Sequence, residues 1–302
     1  MKKILYLIAT DQLKGFPVSI ARGFLWILSY LYWGALTLRA FLYQAGVLKH
    51  YRLGRPVISI GNITLGGTGK TPLVIWVARE LQKRNLKPVI LTRGYMDRRG
   101  KTSADQSDEA RLMAKSLGGV PVLVGPNRVR NAKNFLKSGQ ADVFILDDGF
   151  QHWPLARDLD IVTLDATDPW GQGCLIPRGI LREPLRSLSR AGLIVLTKTD
   201  LKGARVDEIK SRLAAVCPNA LIVESIHDPM ELTDLRCEES RDLSVIKGKE
   251  VCAFSSLGDP QSLRKTLMNL GAFVRENIAL MDHHCYNRDD IARIVQRCRG
   301  NS

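Results

Sequence analysis

No two cysteines of this chain are spaced as Cys-x-x-Cys. All six, Cys174, Cys217, Cys237, Cys252, Cys285 and Cys298, lie in the second half. That excludes a zinc-ribbon pattern and a small disulfide scaffold, and leaves reduced thiols in a cytosolic setting as the expectation. Low-complexity tracts are absent as well. An export signal is missing: the basic start Met1-Lys2-Lys3 precedes an apolar run of only Ile4–Ala9, and Asp11 and Lys14 follow at once. Acids are scarce at this end. Residues 1–55 carry Lys2, Lys3, Lys14, Arg22, Arg39, Lys49, Arg52 and Arg55 against Asp11 alone, half of the chain's net charge of +14. Such a balance points to an anionic partner.

The longest uncharged run near this end is short for a spanning segment. Between Arg22 and Arg39 run 16 uncharged residues, including Phe24, Trp26, Tyr30, Tyr32 and Trp33. A spanning helix needs about 20 apolar residues. An aromatic apolar helix with basic flanks reads instead as an interfacial anchor on an anionic membrane surface. The competing reading is a helix buried against the domain that follows.

The stretch with the most information is Ile58-Ser59-Ile60-Gly61-Asn62-Ile63-Thr64-Leu65-Gly66-Gly67-Thr68-Gly69-Lys70-Thr71-Pro72. An apolar strand runs into a glycine-rich loop, and a helical pattern follows. This is the layout that cradles phosphates: backbone N–H groups of the loop and the helix N-terminus face the anion. The loop of Thr64, Gly66, Gly67, Thr68 and Gly69 is expected to wrap a nucleotide. Lys70 is expected to reach its outer phosphates, and Thr71 to place a hydroxyl on magnesium. Thr64 stands where the general pattern has its first glycine.

Downstream, helices over 73–84, 108–117 and 128–136 alternate with strands over 88–92, 120–124 and 143–146. Strands over 161–164, 193–196, 221–223, 251–254 and 272–274 and helices over 206–215 and 261–270 continue the alternation. Several strands are apolar throughout, which predicts an α/β fold: a parallel sheet covered by helices on both faces. Pro154 and the charged Arg157-Asp158 suggest a boundary. The expected domains are an interfacial helical segment over 1–50, a nucleotide-binding domain over 51–154 and a second, smaller α/β lobe over 155–302.

The strand over 143–146 ends in Asp147-Asp148. A carboxylate there, downstream of a phosphate loop, is placed to hold magnesium, and adjacent residues point to opposite sides, so one of the two is expected to face the metal. Asp108 opens a helix, where an acid is favoured in any case. Asp282-His283-His284 could orient or deprotonate a hydroxyl. Thr197-Lys198-Thr199-Asp200 has the form of a guanine-reading element, which keeps a GTPase or ATPase switch, or a metallochaperone-type NTPase, as the alternative.

Taken together, these segments resemble the tetraacyldisaccharide 4'-kinase (lipid A 4'-kinase) family. The likeness rests on the loop at 61–72, Thr64 included, on Thr92-Arg93-Gly94-Tyr95 and on Ser107-Asp108-Glu109-Ala110. It rests further on Asp147-Asp148-Gly149-Phe150-Gln151-His152, Leu181-Arg182-Glu183-Pro184, Phe254-Ser255-Ser256-Leu257-Gly258-Asp259-Pro260 and Asp282-His283-His284. The resemblance implies a P-loop kinase that uses ATP and Mg2+ to phosphorylate the 4'-hydroxyl of a tetraacylated glucosamine disaccharide 1-phosphate. It implies Asp108 paired with His283 as the base, with Asp148 also catalytic, and Arg93, Arg182, Glu183 and the basic loop 98–101 toward substrate. It also implies work at the cytoplasmic face of a bacterial inner membrane, with no nucleic-acid partner, as a monomer. Family members run on to a Thr-x-Lys-Asp motif. This chain ends at Ser302 after a helical stretch at 288–297, so the second lobe is expected to be short of its closing element.

Overall fold

The computed structural model describes residues 15–94, 108–201, 204–226, 228–237, 239–256, 260–280 and 286–299, with Ile8, Leu13 and His284. The chain divides into two compact units, Met1–Ile226 and His227–Ser302.

The first unit begins with α1, Phe16–Gln44, of 29 residues. Pro17 sits in its first turn, where the missing N–H is harmless, and Gly46 follows it at φ 72°. The helix is longer than the uncharged run, and the two arginines that bound that run find carbonyl partners within the fold. Arg22 donates to Leu13 O at 2.6 Å and Arg39 to Gln151 O at 3.2 Å. By length and composition α1 is long and apolar enough to cross a membrane. Leu25, Ser29 and Tyr43 are buried, whereas Phe16, Ile20, Phe24, Ile27, Leu31 and Leu38 are exposed. Docked helix and exposed apolar face therefore coexist on opposite sides of α1.

The sheet holds β1 (Val57–Gly61), β2 (Pro88–Thr92), β3 (Val122–Val124), β4 (Val143–Asp147), β5 (Leu159–Asp165), β6 (Leu193–Thr197) and β7 (Leu221–Ser225). Its order is β3-β2-β4-β1-β5-β6-β7, and every pairing is parallel. Side chains alternate between two apolar layers. Ile60, Ile90 and Ile145 pack with α2 (Lys70–Lys83) and α3 (Asp108–Ser116). Val89, Phe144 and Leu146 pack with α4 (Arg128–Phe135), and Val162, Leu164 and Ile194 with α5 (Val206–Val216). Burial on both faces is why these strands are apolar throughout.

The boundary expected near residue 155 does not coincide with the division of the chain. β5, β6 and β7 belong to the sheet of the phosphate loop. The charges that resemble a linker are ties within the sheet: Asp158 accepts from Val57 N at 2.8 Å, and Arg157 Nε donates to Asp160 at 3.1 Å.

The second unit contains a short antiparallel pair, β8 (Leu232–Thr233) with β9 (Ser240–Arg241). It also has a parallel pair, β10 (Glu250–Ser255) with β11 (Phe273–Ala279), joined through α6 (Pro260–Asn269). α7 (Arg288–Arg299) closes the described chain.

Candidate functional site

Because the sheet is parallel, the ends of β1, β2, β4, β5 and β6 open on one edge. β1 lies between β4 and β5, where the direction of winding reverses, and ligands of such sheets bind outside that point. The phosphate loop leaves β1 there. Gly69 takes φ 79° and caps α2, whose first residues are Lys70 and Thr71. At Gly66 and Gly67 an added Cβ would meet nothing within 4 Å, so the crest of the loop is open.

The base of the loop is fixed by hydroxyls. Thr68 and Thr163 bond through their Oγ1 atoms at 2.7 Å, Thr163 donates to Gly61 O at 3.2 Å, and Thr197 donates to Thr68 O at 3.2 Å. The Thr68 side chain is thus an anchor under the loop. Thr64 is also buried, bridged to Leu181 in antiparallel pairing. Both residues are held by contacts within the protein.

Asp147 and Asp148 end β4 in contrasting environments. Asp147 is buried and accepts from Thr92 Oγ1 at 2.8 Å. Burial pushes its carboxyl up to about 6, against the pull of that hydrogen bond. Asp148 takes φ 48°, a left-handed conformation uncommon outside glycine, and faces Lys70, whose Nζ is 3.8 Å from Oδ1. Arg182 holds both its oxygens, at 2.7 and 3.0 Å. Burial opposes ionisation of Asp148, but the hydrogen bonds and charge of Arg182, with Lys70 and Arg128, outweigh it and hold the carboxyl below its ordinary range. Neighbouring carboxyls whose affinities for protons are driven apart cluster at functional sites.

Glu183, expected to meet substrate, is instead buried at 4% exposure against Arg190, 2.8 Å away. Arg190 also donates to Phe150 O at 3.2 Å and lies over the rings of Phe150 and Trp153, at 4.2 and 4.6 Å from their centroids. Glu183 therefore seats the segment that carries Arg182. Arg93 is exposed just beyond β2. Asp108 begins α3. His283, Asp282, Tyr95, Ser107 and the loop 98–101 lie outside the described residues. Lys198, at φ 58°, is ion-paired to Asp165 at 2.6 Å at the ends of β6 and β5.

Sequence reasoning missed Arg128, Asn62 and Gln151. Arg128 is buried at the first position of α4, where a cation opposes the helix dipole; that mismatch was the available signal. Its electrostatic neighbours include Asp147 and Asp148. Arg128 Nε, Asn62 Nδ2, Gln151 Oε1 and His152 Nε2 are buried without a hydrogen-bond partner among the described residues. Of these, Arg128 lies in the field of both carboxylates, and Asn62 Oδ1 accepts from the Arg182 that grips Asp148. A cavity of about 690 Å³ is lined by Tyr51, Asn127, Arg130, Lys133 and His152.

A glycine loop at the switch point of a parallel sheet, with Lys70 and Asp148 facing each other across it, defines a P-loop nucleotide-binding protein. The family model for tetraacyldisaccharide-1-P 4'-kinase matches residues 21–302. The tetraacyldisaccharide 4'-kinase of Halothermothrix orenii is 38% identical, over 99% of this chain and 85% of its own. That of Syntrophus aciditrophicus is 39% identical, over 90% and 78%. The structure of the Aquifex aeolicus relative, crystallised in complex with ATP, superimposes with a TM-score of 0.71 at 34% identity, covering 89% of this chain and 84% of that one. The chain belongs to the tetraacyldisaccharide 4'-kinase family.

Proposed function

We propose that this chain transfers the γ-phosphate of ATP to the 4'-hydroxyl of a tetraacylated glucosamine disaccharide 1-phosphate, a step of lipid A synthesis. The constellation of Lys70, Asp148 and Arg182 outside β1 and β4 carries the reading. Phosphoryl transfer depends chiefly on position and on neutralised charge. Lys70 and the loop amides hold the β- and γ-phosphates. The 4'-oxygen attacks the γ-phosphorus, the bond to the β-phosphate oxygen breaks, and ADP leaves. The hydroxyl proton passes to a base, a role we assign to Asp108 and His283.

Magnesium fits the donors present, because Thr71, Asp147 and Asp148 offer only oxygens and this ion takes its remaining ligands from phosphates and water. It would supply charge neutralisation at the phosphates. Arg182 is engaged with Asp148, so Arg93 and Arg128 among the described residues, together with the basic loop 98–101, are the cations we assign to phosphate on substrate or nucleotide. We infer that the protein works at the cytoplasmic face of a bacterial inner membrane, as a monomer; the exposed apolar face of α1 supports the membrane contact. Membership of the kinase family disfavours the switch alternative drawn from Thr197-Lys198-Thr199-Asp200.

The test is phosphate transfer from labelled ATP to the disaccharide acceptor in mixed micelles. Wild type is expected to form the 4'-phosphate, and Asp108→Ala and His283→Ala to lose most turnover. Undiminished turnover in both variants would sink the base assignment. Hydrolysis of GTP with no transfer to lipid would sink the kinase reading.

A further inference from the structure

The helix with the apolar outer face is bonded on its inner face to the two segments that flank Asp148. Tyr32 Oη donates to Arg182 O at 2.8 Å, and the guanidinium of that same Arg182 grips Asp148. One turn earlier, Ser29 Oγ donates to Leu175 O at 2.9 Å and accepts from Arg178 N at 3.0 Å. Two turns after Tyr32, Arg39 donates to Gln151 O, and Gln151 Nε2 donates to Asn62 O at 2.9 Å, in the residue next to Gly61. The segment from Leu175 to Arg182 also bonds the phosphate loop directly: Arg182 N donates to Ile63 O at 2.7 Å and Leu65 N to Ile180 O at 2.7 Å. Arg178 and Arg186 lie over Trp26 and Trp33 of the helix.

An anchor that only tethered the protein would need none of these bonds. Its inner face could pack by apolar contact on any surface remote from the chemistry. Here the polar side chains of α1 are directed at backbone carbonyls of the Leu-Arg-Glu-Pro and Asp-Asp-Gly-Phe-Gln-His segments, and nearly all its outward side chains are apolar. We propose that α1 is part of the catalytic apparatus, and that Tyr32, acting through Arg182, is a positioning residue that holds the Asp148 carboxylate in register with Lys70. Seating of α1 at a lipid surface is thereby linked to the geometry of the phosphate site. The proposal rests on the kinase reading for its turnover measurement but not for its binding measurement.

The experiment compares full-length wild type with Tyr32→Phe, which removes one hydroxyl and keeps the ring. Arg39→Gln serves as the second variant should the first fold poorly. Tyr32→Phe is expected to lower kcat about tenfold, with KM for ATP and for the disaccharide within twofold of wild type and thermal stability retained. In parallel, Mg2+ is titrated against a fluorescent ATP analogue without acceptor, and the variant is expected to need several-fold more Mg2+ for half-maximal binding. A hydroxyl that merely docked the helix would lower stability or vesicle binding and leave both readouts in place. Wild-type kcat together with wild-type Mg2+ dependence overturns the proposal. If wild type itself transfers no phosphate to the disaccharide, the kinase reading fails, and the Mg2+ titration still decides the role of Tyr32.

Discussion

Arg182 and Asp148 form a two-pronged pair: Nη1 lies 2.7 Å from Oδ1 and Nη2 3.0 Å from Oδ2. A third contact, Nη1 to Asn62 Oδ1 at 3.2 Å, fixes the plane of the guanidinium. A lysine there keeps the charge but cannot make the fork. Arg182→Lys is expected to lower turnover by about tenfold or more, equivalent to about 1.4 kcal/mol of barrier, with ATP affinity little changed. Steady-state kinetics with ATP varied checks this. A variant with wild-type kcat would show that the charge alone suffices.

Gly61 is required by a close approach. A Cβ there would lie 2.6 Å from Phe150 Cβ and 2.7 Å from Phe150 N, and Phe150 is fully buried. The backbone after Asp148 would have to move. Gly61→Ala is expected to destabilise the protein by about 1–3 kcal/mol, as overpacking does. The readout is the urea midpoint at constant slope. An unchanged midpoint would mean that the Asp-Asp-Gly-Phe turn yields freely.

His152 makes stability pH-dependent. Burial, then the positive charges of Arg128, Arg157 and Arg39, push its imidazole down from 6.5 to about 4. The unfolded chain therefore takes up a proton before the folded chain does. This contribution is fully present above pH 6.5 and is lost as pH falls toward about 4. His152→Asn is expected to flatten the decline of the melting temperature across that window. Equal slopes for the two proteins would remove His152 from the account.

The outer face of α1 gives a separable prediction. Ile27 and Leu31 stand one turn apart and are both exposed. Replacing both by Glu removes about 3 kcal/mol of apolar burial at a lipid surface, roughly two orders of magnitude in partitioning. Sedimentation with anionic vesicles measures this, while the melting temperature of the folded protein should hold. Unchanged partitioning would place the lipid contact elsewhere.

Much of the nucleotide unit is legible in residue order. Apolar strands such as Pro88–Thr92, alternating with helical patterns, announce a covered parallel sheet, and Gly66 to Thr71 announces its ligand. The family strings add the chemistry. What stays illegible has physical causes. Arg157 and Asp158 look like a solvated linker, yet their partners Asp160 and the Val57 amide, adjacent strands in space, make them internal ties. Glu183 looks like a ligand for substrate until Arg190, seven residues on, is seen to enclose it. Arg22 and Arg39 look like the limits of α1, because no pattern reveals that the carbonyls of Leu13 and Gln151 receive them.

The hydroxyl chain beneath the phosphate loop, from Thr197 through Thr68 and Thr163 to the carbonyl of Gly61, has a consequence for binding. It divides the loop into a base locked to β5 and β6 and a crest of Gly66 and Gly67 with open space around it. ATP then has only a few residues to order on arrival, and ADP only those same few to release on leaving. Ordering on binding is thereby confined to the two glycines, and the hydroxyls tie the base of the loop to the strands below.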